Sequence, residues 1–137
     1  MNQAFILIAE DDADDRFLLK SAFKENDFND KLHFVENGVE LLEYLHQAQN
    51  GANGASFPHF ILLDLNMPKK DGREALKEIK LNANFKHIPV IIFSTTNNEL
   101  EMNRCYELGA NSYITKPNSF ENLIKTVAAI RNLWSPK

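Results

Sequence analysis

Five short apolar runs punctuate the chain: Phe5–Ala9, Leu32–Val35, Phe60–Leu63, Val90–Phe93 and Ser112–Thr115. The first, third and fourth are nearly unbroken in Phe, Ile, Leu and Val. Unbroken runs suit strands covered on both faces, whereas alternation suits a sheet with one wet face. The second and fifth are mixed, as flanking strands are. Between the runs, apolar residues recur at helical spacing. Phe17, Leu18, Leu19, Ala22 and Phe23 predict one helix; Val39, Leu42 and Leu45 another; Ala75, Leu76 and Ile79 a third. Glu99–Leu108 predicts a fourth, with Gly109 as its C-terminal cap. Leu123, Val127, Ile130 and Trp134, spaced four, three and four apart, predict the last. His46–Pro58 is polar and holds two Asn-Gly pairs, so it is expected to be a surface loop. A short tail, Ser135–Lys137, is left over.

Strands alternating with helices predict an α/β fold: a doubly wound, five-stranded parallel sheet with helices on both faces. Right-handed crossovers leave few topologies. The expected strand order is 2-1-3-4-5, the flavodoxin-like (βα)5 arrangement. Length and composition agree with a single domain over 1–137, with a core at about 4–134 and no effector domain. The single cysteine, Cys105, excludes an internal disulfide and points to a reducing cytoplasm; it lies in a helical pattern and is expected to pack. No apolar run nears the roughly 18 residues that span a bilayer, and Met1–Ala9 has no basic leader. With 19 acidic and 15 basic residues the charge is −4, which argues against nucleic acid as a partner.

The acids are clustered. Glu10, Asp11, Asp12, Asp14 and Asp15 fall within six positions. In an open α/β sheet, ligands bind beyond the carboxyl ends of the strands, where the strand order reverses. Here that point lies between the first and third strands. Glu10 and Asp11 follow the first directly, and Asp64 follows the third. Crowded carboxylates repel unless a cation sits among them. Oxygen donors without His or Cys suit Mg²⁺. The loop after the first strand lacks glycine, which excludes a P-loop and a dinucleotide fingerprint. Ser94 ends the fourth strand and Lys116 the fifth, at the same crevice edge. Acids, a hydroxyl and an ammonium together suit a phosphoryl group, with an aspartate as its possible acceptor.

These residues resemble the receiver domain of two-component response regulators. The carrying segments are ILIAEDD (6–12), ILLDLNMPKKDG (61–72), PVIIFSTT (89–96) and SYITKP (112–117), and the likeness covers nearly the whole chain. The resemblance implies that Asp64 is the phosphoacceptor, Asp11 a direct Mg²⁺ ligand, and Glu10 an acid reaching the metal through water. It implies that Asn66 offers a backbone carbonyl to the metal, that Ser94 and Lys116 contact the phosphoryl oxygens, and that Tyr113 is the switch aromatic. It also implies a cis Lys116–Pro117 bond. Asn66 and Thr96 occupy the family's variable flanking positions, which set the lifetime of the phosphorylated state. Where the family most often has Asp-Asp, this chain has Glu-Asp followed by Asp12, so either Glu10 or Asp12 can assist Asp11.

The implied function is a single-domain response regulator, not an enzyme in its own right. It would take a phosphoryl group from a sensor histidine kinase and switch a surface on the fourth helix, fifth strand and fifth helix. The loop at 46–58 and the Asp-Asp-Arg run at 14–16 resemble small regulators partnered with phytochrome-type kinases. A downstream protein or phosphotransfer protein is the expected target, and a homodimer is possible. Two alternatives stay open: a pseudo-receiver that binds partners without phosphorylation, and a Mg²⁺-dependent phosphohydrolase. The second needs an acid two residues after Asp64, where Asn66 stands. Asp14 and Asp15 are read as a solvated helix start, Asp12 as its N-cap, and Lys69-Lys70 as a solvated loop. His33, His46, His59 and His87 show no ligand spacing.

Overall fold

The computed structural model describes residues 3–134, so the tail at 135–137 lies outside the described residues. Five parallel strands, β1 (Phe5–Ala9), β2 (Lys31–Val35), β3 (Phe60–Leu63), β4 (Val90–Ser94) and β5 (Ser112–Thr115), pair in the order β2-β1-β3-β4-β5. The helices between and after them are α1 (Ala13–Glu25), α2 (Gly38–Asn50), α3 (Gly72–Leu81), α4 (Glu99–Glu107) and α5 (Phe120–Trp134).

Side chains alternate across a strand, so each central strand feeds two cores. Leu7, Ile61, Leu63 and Ile92 pack with Leu41 and Leu45 of α2 and Leu76 and Ile79 of α3. Ile6, Ile8, Phe60, Leu62, Ile91 and Phe93 pack on the other face with Leu19 and Phe23 of α1 and Val127 and Ile130 of α5. Every residue of β1, β3 and β4 is buried, which accounts for their unbroken apolar sequence. Cys105 lies inside the first core, where burial pushes its thiol pKa up and leaves it a packing residue. At the far end of the sheet, Arg131 Nε donates to Asp30 Oδ2 at 2.6 Å, and Asp30 Oδ1 accepts from the Ala4 N–H at 2.9 Å. This ties α5 to the entry of β1.

One expectation needs correction here. The segment at 46–58 is not all loop: α2 runs on to Asn50, and a 3-10 turn follows at Ala52–Gly54. The first Asn-Gly pair ends a helix at Gly51 rather than opening a free loop. The helix expected at Phe17–Phe23 is present as α1; within it Phe17 is 67% exposed, because Leu19, Ala22 and Phe23 fill the buried stripe. Gly109 does cap α4, at φ +108°. Among the described residues, no helix is long and apolar enough to cross a membrane.

One glycine holds the β3–α3 connection in shape. The Gly72 N–H donates to Leu65 O at 2.9 Å. A Cβ at Gly72 would lie 2.4 Å from Asp64 O and 2.7 Å from Leu65 Cα. Both are backbone atoms that cannot swing aside. Gly72→Ala is therefore expected to destabilise the chain by about 2 kcal/mol, the cost of overpacking against backbone. Urea unfolding followed by circular dichroism checks this; an unchanged midpoint would contradict the close approach.

Candidate functional site

The sheet ladder continues one residue beyond three strand ends. The Glu10 N–H donates to Val35 O at 2.9 Å, the Asp64 N–H to Ala9 O at 3.1 Å, and the Lys116 N–H to Ser94 O at 2.8 Å. Ala9 is level with Leu63 in the β1–β3 register. The residues that follow them, Glu10 and Asp64, therefore emerge side by side. Backbone bonding places the charged residues before any side-chain contact forms.

Glu10, Asp11 and Asp64 each present a carboxylate oxygen, all within 4.8 Å of one another. Glu10 is 2% and Asp64 7% exposed, while Asp11 faces solvent. Asp12 is not part of this trio. Its side chain caps α1, accepting from the Asp15 N–H at 3.0 Å, while its own N–H donates to Glu10 Oε2 at 3.2 Å. The structure thus brings Glu10, and not Asp12, to Asp11. Three oxygen donors, two of them buried and none a His or Cys, fit a hard divalent cation.

Lys116 reaches into the trio. Its Nζ donates to Glu10 Oε1 at 2.7 Å and lies 3.3 Å from Asp15 Oδ2 and 3.5 Å from Asp64 Oδ2. The expected cis Lys116–Pro117 bond is not found; no peptide among the described residues is cis. Lys116 is aimed inward without it, held by its backbone bond to Ser94 O at one end and by the carboxylates at the other.

Ser94 is fully buried, and its Oγ accepts from the Thr96 N–H at 3.2 Å. Tyr113 is buried as well. Its hydroxyl donates to Thr96 O at 2.7 Å, and its N–H donates to the Tyr106 hydroxyl at 3.0 Å. Asn66 is exposed, and its N–H donates to Asp64 Oδ1 at 3.3 Å.

The sequence reading missed Asp15. Local spacing reads it as a solvated helix start, yet its carboxylate contacts Lys116 across 101 positions of sequence. The cap at Asp12 makes Asp15 the third residue of α1, pointing back toward the strand ends; that spacing was the available clue. Arg16 was missed too: its Nη1 donates to Glu10 O at 2.9 Å. Lys70 is not simply solvated, since it pairs with Glu78 at 2.6 Å.

Burial raises the Glu10 pKa from 4.5 to about 7, although Lys116 pulls the other way. Burial alone would lower the Lys116 pKa, but its bond to Glu10 and the charges of Glu10, Asp64 and Asp15 outweigh that and raise it. Burial also raises the Tyr113 pKa.

A two-stranded crevice of acids beside a buried Ser and a Lys, on a 2-1-3-4-5 sheet, defines the receiver class. A model of the response regulator receiver domain matches residues 6–128, and the chain belongs to that family. It is a receiver of phosphorylation-based two-component signalling. Among its relatives, response regulator Rcp1 of Synechocystis sp. is 39% identical over 129 residues, spanning 94% of this chain and 87% of that protein. The phosphorylated cyanobacterial phytochrome response regulator RcpA superposes with a TM-score of 0.87 at 40% identity, covering 97% of this chain and 94% of that one. The Mn²⁺-bound form of Rcp1 superposes at 0.84 with 38% identity, covering 96% and 94%.

The raised Glu10 pKa has a pH signature. Between pH 4.5 and about 7, folded Glu10 keeps a proton that the unfolded chain releases. The contribution of Glu10 to stability therefore falls as pH rises through that window. Without added metal, Glu10→Gln is expected to remove this fall. Urea midpoints measured from pH 4.5 to 7.5 in both proteins check it; parallel profiles would show that Glu10 titrates normally.

Proposed function

We propose that Asp64 accepts a phosphoryl group in a Mg²⁺-dependent reaction, and that the donor is a histidine kinase of phytochrome type. The observation that carries this reading is the meeting of Asp64 with Lys116 at 3.5 Å, beside two further acids and the buried Ser94. The phytochrome link is supported by likeness to RcpA, a phytochrome response regulator.

An Asp64 carboxylate oxygen attacks the phosphorus. A P–O bond forms as the donor's P–N bond breaks, and the imidazole leaves with the bonding electron pair and takes up a proton. Glu10, Asp11, Asp64 and the Asn66 carbonyl would hold Mg²⁺, which would supply positive charge against the phosphoryl oxygens. Lys116 adds an ammonium beside Asp64, and the Ser94 hydroxyl donates a hydrogen bond to the new phosphoryl group. Asn66 and Thr96 flank the group and set its lifetime.

The switch runs through Thr96. Its N–H is held by Ser94 and its carbonyl by Tyr113. When Ser94 turns to the phosphoryl group, the Thr96 peptide loses one of its two anchors. Tyr113 then changes its partner, and the surface of α4, β5 and α5 changes with it.

Incubation with a small acyl phosphate and Mg²⁺ is expected to give an acid-labile label on the wild-type chain. Asp64→Asn is expected to reduce it to background, as is chelation of the metal. Intact-mass and peptide mapping check this; undiminished labelling of another residue would overturn the assignment.

A further inference from the structure

Lys116 is shared by more acids than phosphoryl binding requires. Glu10, Asp15 and Asp64 all lie within 3.5 Å of its Nζ. Two of the three, Glu10 and Asp64, also belong to the carboxylate trio that fits a divalent cation. A cation and an ammonium drawn to the same oxygens repel each other at a few ångströms. One of them must yield. Asp15 is the acid that contacts Lys116 but lies outside the trio.

Its position suits it to receive the ammonium. Asp15 sits in the first turn of α1, and its N–H is already taken by the Asp12 carboxylate. Its own carboxylate accepts from Lys116 Nζ at 3.3 Å, a partner outside the helix. The side chain is 42% exposed, so keeping it charged costs little desolvation. Asp15 and Lys116 also line a cavity of about 170 Å³ between α1 and the start of α5, with Phe93, Pro117 and Phe120 on its walls. That space lets the lysine head move without displacing backbone. Arg16, the cation next to Asp15 in sequence, has its Nη1 engaged on Glu10 O. An acid at a helix start also gains from the helix dipole, but that gain does not require contact with a lysine from β5.

We propose that Asp15 is a positioning residue, the counter-ion to which the Lys116 ammonium withdraws when a divalent cation takes Glu10 and Asp64. It keeps Lys116 beside the site instead of expelling it, within reach of a phosphoryl group on Asp64. The inference rests on the metal-binding reading of the trio, but needs no phosphorylation to be tested.

The test is a double-mutant cycle on cation affinity. Mn²⁺ is titrated by electron paramagnetic resonance into the wild type, Asp15→Asn, Lys116→Met and the double variant. Asp15→Asn is expected to weaken Mn²⁺ binding about fivefold when Lys116 is present, the scale of a partly exposed ion pair. In the Lys116→Met background the same change is expected to cost less than about twofold, because no ammonium remains to be accommodated. Asp15→Glu, which keeps the charge, is expected to retain most of the affinity. Thermal unfolding without metal establishes that each variant is folded. Equal losses in both backgrounds would mean that Asp15 acts only through its distant charge, and would overturn the proposal while leaving the trio as a metal site. A wild-type chain that binds no Mn²⁺ would overturn both.

Discussion

A parallel sheet covered on both faces has no place for charge except at its ends. In this chain β1, β3 and β4 are buried throughout, so polar chemistry collects where those strands stop. The order β2-β1-β3-β4-β5 reverses direction between β1 and β3, and the crevice opens there. Ladder bonds at Glu10, Asp64 and Lys116 carry the sheet's geometry one residue further, into the site. The spacing of the functional groups is thus inherited from backbone hydrogen bonding. Side-chain preference plays only a late part.

This inheritance is costly. Two carboxylates are held with little solvent, and a third stands at their edge. Lys116 contacts Glu10 at 2.7 Å, yet burial still keeps that carboxyl near a pKa of 7. One ammonium does not satisfy the acids around it. Apolar residues in these positions would commonly give a more stable chain. The site is better understood as prepared for more positive charge. A divalent ion would add the positive charge that keeps the Glu10 carboxylate ionised against its burial.

The fold was largely legible, because its main determinant is burial and burial shows in composition. All five strands were located within a residue at each end, and β2 and β4 differ only by Lys31 and Ser94. The roles of Glu10, Asp11 and Asp64 were approached through their places at strand ends, which depend on strand position alone. What was hidden depends on helix rotation and on packing partners. Phe17 and Leu18 widen the apolar stripe of α1, and periodicity could not say which side of a wide stripe is left in water. The Asn-Gly pair at 50–51 carries the same signature whether it ends a helix or opens a loop. Asp15 looked like an ordinary acid at a helix start, because local spacing says nothing about a lysine 101 residues away. Choosing between Glu10 and Asp12 likewise needed to know where α1 begins.

The link from site to surface can be judged by magnitude. Thr96 is held by two hydrogen bonds, one to Ser94 and one from Tyr113. Bonds of this kind contribute about 1 kcal/mol each, because water competes for the same groups. A hydrogen bond to a charged phosphoryl oxygen is worth roughly 1.5–3 kcal/mol. On the proposed reading, an exchange at Ser94 would therefore favour the phosphorylated arrangement by a small margin. A small margin is what a reversible switch needs. If the Thr96 anchors were much stronger, phosphorylation could not move them; if much weaker, the loop would move without it. The buried ring of Tyr113 restrains the second anchor, since its hydroxyl must find a new partner before it leaves Thr96. In the proposed switch, Ser94 would thus be the bond given up cheaply, and Tyr113 the one that makes the response discrete.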